Sequence, residues 1–278
     1  MTAVTSRLAG VLLAALALHA VAQPLRKSET AFDGAGGHRV ELKVLSAAPG
    51  QVRLTVLHPK RVIGRADQPT SLEGMAATRE LGRPRSIERY LTSAGYSSYR
   101  TEVPVGLLVS SGKTLSAIDG SPPQAAPGGT CPASQRSTLR YSGVLCVRPD
   151  GKWQVLPAAE YQPGMCTEAV QAGPMLIEPG GVMGICEGEA TAARPSHSRL
   201  VACVDAMNTL HMVLSEPTAL FPLANWLRTG PLKCDVALNL SGAQQAGWMR
   251  LSSTRKLVAK SEGGTEAALA SALLFESR

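Results

Sequence analysis

Aromatic residues are scarce in this chain: 3 Phe, 3 Trp and 5 Tyr among 278 residues. That excludes a core of stacked rings and a surface on which nucleic-acid bases interleave with aromatics. Charged residues are also few, at 18%, and with 44% hydrophobic residues this excludes whole-chain disorder and a long coiled coil. The formal charge is +7, yet no basic run exceeds a pair, so there is no nucleic-acid-binding stripe, and the positive balance favours anionic partners in general. No C-x-x-C, G-x-S-x-G or H-E-x-x-H occurs, which removes the zinc-ribbon, thioredoxin-like, serine-hydrolase and zincin readings. His38, His58, His197 and His211 are dispersed, and neither a metal nor a cofactor is expected. No period of about 20–50 residues recurs, so repeat architectures are out.

One long apolar run is present. Arg7 precedes Leu8–Leu18, which is too short to span a bilayer, and Ala20-Val21-Ala22 forms a small-x-small cleavage signal before Gln23. Residues 1–22 read as a signal peptide and 23–278 as a single domain without a transmembrane segment, placed in the periplasm or secreted. All six cysteines (131, 146, 166, 186, 203 and 234) lie in the exported part, and in an oxidising compartment they imply up to three disulfides.

Twenty-seven Gly and 19 Pro punctuate short elements, so the expected fold is α+β: a mixed β-sheet core with short helices packed on it, Gly/Pro-rich loops and disulfide staples. Alternation through Val40, Leu42 and Val44, and again through Val52, Leu54 and Val56, predicts a β-hairpin over 38–57. Thr70-Ser71-Leu72-Glu73 has the form of a capping box opening a short helix that Gly82 and Pro84 end, with a second short helix through Ile87, Tyr90 and Leu91. Residues 104–110 read as a buried strand, 119–129 as a long loop, and 144–156 as a hairpin turning at Pro149-Asp150-Gly151-Lys152. Met175–Ile177 read as a further apolar segment before a Gly180-Gly181 turn. Strands over 200–205 and 210–214 precede a helix near Pro222 that ends at Gly230-Pro231. A strand over 236–240 with a turn at Ser241-Gly242 follows, and 267–275 fits either a helix or an edge strand.

Phosphate-loop and penicillin-binding readings fail on spacing. Five residues separate Gly106 from Gly112-Lys113-Thr114 where four are needed, and the S-x-x-K runs at Ser110 and Ser253 have no SDN or KTG after them. What remains is an ordered set of segments: Pro104–Val109, Gln171-Ala172-Gly173-Pro174-Met175-Leu176-Ile177, Ser198-Arg199, and Asp235-Val236-Ala237-Leu238-Asn239-Leu240. Together, over about 91–278, they resemble the phosphodiester glycosidase family, which includes the enzyme that uncovers mannose 6-phosphate by removing N-acetylglucosamine from a phosphodiester. Many of its bacterial relatives are linked to exopolysaccharide.

The resemblance implies a hydrolase of a sugar-1-phosphodiester or an envelope glycan. Such cleavage builds positive charge at the anomeric carbon and leaves a phosphate, so the site needs a cation, neutral donors and acid–base groups. On that reading Arg199 holds the phosphate bidentately, Asn239 and Ser241 complete the catalytic set, and Gln171, Gly173, Gly242 and Tyr96 line the substrate. The resemblance also places Cys203 beside Cys234. Two departures stand out: Ser241 occupies the position of the family's Asp in Asp-Gly-Gly, and Ser93 that of the Asn in an Asn-Gly-Gly-Phe-like turn. A hydroxyl stays protonated at neutral pH and cannot act as a charged base. Candidate replacement acids are Glu178, Glu187, Glu189 and Asp205. The alternative is a non-catalytic phosphosugar- or glycan-binding module on the same scaffold.

Overall fold

The structure is a computed structural model that describes residues 23–34, 37–64, 70–78, 81, 85–97, 104–120, 141–186, 197–242, 245–251, 257–260 and 267–278. In chain order the strands are β1 (Leu25–Asp33), β2 (Arg39–Ala47), β3 (Val52–Leu57), β4 (Arg89–Ala94), β5 (Tyr96–Ser97), β6 (Pro104–Val105), β7 (Leu108–Ser110) and β8 (Lys113–Ser116). Next come β9 (Gly143–Val147), β10 (Trp153–Pro157), β11 (Glu168–Ala172), β12 (Met175–Glu178) and β13 (Val182–Met183). The last are β14 (Arg199–Asp205), β15 (Leu210–Ser215), β16 (Cys234–Gly242), β17 (Gly247–Arg250), β18 (Leu257–Lys260) and β19 (Ser271–Ser277). The α-helices among the described residues are α1 (Pro59–Ile63), α2 (Leu72–Ala76) and α3 (Leu220–Thr229).

The strands form a seven-stranded sheet ordered β1-β2-β15-β14-β16-β12-β13 and two five-stranded sheets ordered β10-β9-β11-β7-β8 and β18-β17-β4-β19-β3, with β5 and β6 paired alone. The architecture is thus sheet-dominated, which corrects the expected α+β balance: the helices only cap outer sheet faces. Strand alternation explains the layering. On β14, Leu200, Ala202 and Val204 point into a central core shared with Val56, Tyr90, Leu145, Val170, Trp248 and Phe275 of the five-stranded sheets. Val201 and Cys203 point the other way, where Leu220, Leu223, Ala224 and Leu227 of α3 cover them. Leu72 and Met75 of α2 likewise cover Leu91, Met249 and Leu274.

Several local expectations change. The segments 39–47 and 52–57 are both strands but not a hairpin: β2 pairs with β1 and β15, while β3 pairs with β19 in another sheet. The expected helix through Tyr90 and Leu91 is strand β4, buried along its whole length, where apolar residues on both faces mimic helical spacing. The helix expected from the capping box is α2, and it is capped by Ser71 and not Thr70, the Ser71 hydroxyl accepting from the Gly74 amide at 3.0 Å. The C-terminal run is β19, and it is no edge, since β4 and β3 flank it. The 144–156 hairpin and the 200–214 strand pair form as read.

Disulfides join Cys146 to Cys166 and Cys203 to Cys234, Cys186 is also disulfide-bonded, and no described cysteine is free. The 31-residue separation closed by Cys203–Cys234 corresponds to about 3–4 kcal/mol in the chain-entropy model. The signal segment 1–22 lies outside the described residues. Among the described residues no helix is long and apolar enough to cross a membrane.

Candidate functional site

At one end of the seven-stranded sheet, β14 begins with Arg199 and β16 ends with Gly242, and these two residues pair directly. The register is regular from Cys203↔Ala237 to Val201↔Asn239, then slips so that Leu200 meets Ser241, which leaves Leu240 as a bulge. Cross-strand partners point to the same face. Arg199, Val201, Asn239 and Gly242 therefore share one face, and Leu200 and Ser241 share the other. Ser241-Gly242 is strand and not a turn, so free turn amides are absent there. A Cβ on Gly242 would stand 3.0 Å from Arg199 Nη1; glycine leaves the guanidinium its path along the strand.

Asn239 is 1% exposed and binds outward from the sheet. Its Nδ2 donates to Tyr96 Oη at 2.6 Å and to the Gly173 carbonyl at 3.1 Å, and Tyr96 Oη donates to the same carbonyl at 2.8 Å. The Gly173-Pro174 peptide is cis, and the Pro174 carbonyl accepts from the Asn239 amide at 3.0 Å. Tyr96 packs edge-on to Tyr141, with ring centroids 5.5 Å apart.

Arg199 is half-buried. Burial pulls its guanidinium below the usual arginine range, and the adjacent Tyr96 acts in the opposite direction. No ion pair among the described residues involves Arg199. Arg199 Nε and Asn239 Oδ1 are both buried without a hydrogen-bond partner among the described residues, one a donor and the other an acceptor.

Gln171 stands beside this group in a different capacity. Its Oε1 accepts from the amides of Leu107 at 2.9 Å and Asp119 at 2.8 Å, and its Nε2 donates to the carbonyls of Asp119 and Tyr141, each at 2.9 Å. Every polar valence of the amide is thereby used within the protein. Gly106, at φ 91°, lets this side chain lie against the backbone, since a Cβ there would stand 2.6 Å from Gln171 Oε1. The sequence carries no signal for this bracing role, because the partners of Gln171 are backbone groups on three separate segments.

The structure brings Arg199, Asn239, Tyr96, Gly173 and Gly242 together and turns Ser241 away from them. Ser241 is fully buried, with its hydroxyl 3.2 Å from that of Ser93, which in turn bonds the Gly247 backbone. Of the replacement acids, Glu187 and Glu189 lie outside the described residues. Asp205 sits at the far end of β14, about 20 Å of strand from Arg199, and its carboxylate binds His211 and the amides of Met207 and Thr209. Glu178 lies past the Ile177↔Ala237 pair, again toward the far end, and burial pushes its carboxyl up. Neither reaches Arg199. Among the described residues no group of three His, Cys, Asp or Glu side chains is placed to hold a metal ion.

A family model described as phosphodiester glycosidase matches residues 89–276. No curated protein matches significantly. Among solved structures, the catalytic domain of zebrafish N-acetylglucosamine-1-phosphodiester alpha-N-acetylglucosaminidase, auto-inhibited by its pro-peptide, superposes with a TM-score of 0.63 at 14% identity, covering 94% of this chain and 85% of that one. A hypothetical protein from Synechocystis gives 0.54 at 16% identity, covering 93% and 65%. A putative exported protein from Burkholderia pseudomallei gives 0.51 at 13%, covering 87% and 75%. At these identities the likeness concerns the fold.

Proposed function

The chain belongs to the phosphodiester glycosidase family, and on that premise we propose that it recognises a sugar-1-phosphodiester, free or within an envelope or exopolysaccharide glycan, and cleaves it with an acid–base set different from the family pattern. The observation that carries the reading is the half-buried Arg199 cation, which has no carboxylate partner among the described residues. An ionised group removed from water is costly unless an opposite charge or hydrogen bonds compensate it, and a phosphate oxygen supplies both. Asn239 Oδ1 is the complementary acceptor, suited to a sugar hydroxyl or amide N–H. Gly173 and Tyr96 hold Asn239 in place, and Gln171 braces the loops behind them. The disulfides and the likeness to an exported protein support an extracytoplasmic setting.

One observation favours a second reading, binding without hydrolysis. The two positions at which the chain departs from the family pattern, Ser93 and Ser241, touch each other in the core as a neutral hydroxyl pair. Turnover separates the readings. Wild-type protein incubated with a chromogenic N-acetylglucosamine-1-phosphodiester releases sugar if the chain is an enzyme and binds it unchanged if it is a binding module; failure both to bind and to cleave a panel of such diesters contradicts both.

A further inference from the structure

At the pole opposite Arg199 there is a cavity of about 340 Å³, within the size range of small-ligand sites. Its walls come from four places: the start of β3, the β7–β8 turn at Ser111-Gly112, the β9–β10 turn from Arg148 to Gly151, and Thr167-Glu168. Arg278 closes the rim. Strand registers fix the separation from the first site. Glu168 pairs with Val147 at the cavity end of β11, whereas Ala172 pairs with Gly143 beside the Gly173 carbonyl, about 13 Å away along the strand.

Three separate segments each bring one arginine to this cavity: Arg53, Arg148 and Arg278. All three are exposed, and none takes part in an ion pair among the described residues. Arg148 bonds only the neutral Gln154 side chain, at 3.2 Å, and Arg278 reaches the Gly50 carbonyl at 3.5 Å. Of the side-chain carboxylates at this end, Asp150 in the β9–β10 turn pairs with Lys152 at 3.5 Å, and Glu168 in the wall is 6% exposed and already engaged: Oε2 accepts from the Val56 amide at 2.7 Å and Oε1 from the Ser111 amide at 2.8 Å. Burial pushes its carboxyl up, while those amides, Arg53 and the Ser110 hydroxyl pull it down. The three guanidiniums outnumber the side-chain carboxylates that line the cavity, and Arg148 and Arg278 each keep N–H donors beyond the single neutral contact they make among the described residues.

We propose that this cavity is a second ligand site, which binds the oxyanion groups, phosphate or carboxylate, of an acidic glycan. Planar guanidinium forks suit both anions, and three of them on separate segments clamp a multiply charged chain more tightly than a single ion. The site does not depend on the chemistry proposed at Arg199; a polymer held here at one repeat stays close to the opposite pole at another.

Calorimetric titration with tripolyphosphate and with trigalacturonate tests it and tells the two anion sources apart. Wild-type protein is expected to bind at least one of them in low salt, and whichever binds names the source. Arg53→Gln and Arg148→Gln each weaken that binding about tenfold, and they do so to the same extent in an Arg199→Ala background, where the first site no longer competes for the probe. The two glutamine variants lie at exposed positions, and unaltered thermal unfolding confirms that they fold. Binding of neither probe, equal binding by the wild type and the double variant, or a loss caused by Arg199→Ala in place of the cavity variants overturns the proposal.

Discussion

Asn239 and Ser241 stand two residues apart on β16 and end in opposite surroundings. Asn239 bonds Tyr96 and Gly173, and its Oδ1 has no hydrogen-bond partner among the described residues. Ser241 is sealed in the core against Ser93. In an unbroken strand, residues i and i+2 share a face. The Leu240 bulge inserts one residue and sends the two side chains apart. What separates a candidate site residue from a core residue here is one irregular ladder step, and the residue types of Asn and Ser do not decide it.

The largest effect expected from this contrast is at Ser241. Ser241→Asp places a carboxylate where no water reaches, opposite a single hydroxyl, and should lower stability by about 3 kcal/mol or more in denaturant unfolding. Adding Ser93→Asn should recover part of that loss by supplying an amide donor. An undiminished single variant would mean that position 241 is not sealed in the core.

On the other side of the strand the expected stability cost is smaller and the binding effect larger. Asn239→Leu removes the donor to Tyr96 and Gly173 and should cost about 1 kcal/mol of stability while weakening phosphosugar binding. Ser241→Ala should leave that binding unchanged. If the two variants change affinity equally, the division of faces is wrong.

The smallest effect lies in a third polar group away from β16. His211 Nδ1 sits 2.9 Å from the Ser46 hydroxyl and Nε2 sits 3.2 Å from Asp205. Burial lowers the His211 pKa from 6.5, against the pull of Asp205. The unfolded chain then binds the proton more readily, so this contribution to stability is present above about pH 6.5 and declines as the pH falls toward the lowered folded value. Unfolding midpoints measured across that window should fall for wild type and fall less for His211→Gln. Parallel curves would contradict this.

How much of this was legible in the sequence depends on how local the cause was. Strand 144–156 and its partner turn on Pro, Asp and Gly, which act within four residues, and they formed as read. The 38–57 strands were legible as strands but not as members of different sheets, because pairing is decided by distant β15 and β19. β4 read as helix because a strand buried on both faces has no period of two to detect. In the site, Arg199 and Asn239 were visible through the family resemblance, and so was the Cys203–Cys234 neighbourhood. Bulge, bracing amide and the Ser93–Ser241 contact were not, since each depends on residues far apart in the chain.

The measurement that bears most directly on the proposed site is the affinity of wild type, Arg199→Ala and Arg199→Lys for an N-acetylglucosamine-1-phosphodiester by calorimetry. Loss of the charge-assisted contact should weaken binding by about 1.5–3 kcal/mol in the alanine variant. Lysine should restore only part of it, because an ammonium cannot make the planar fork. Equal affinity for wild type and Arg199→Ala, with both folded, would contradict the account.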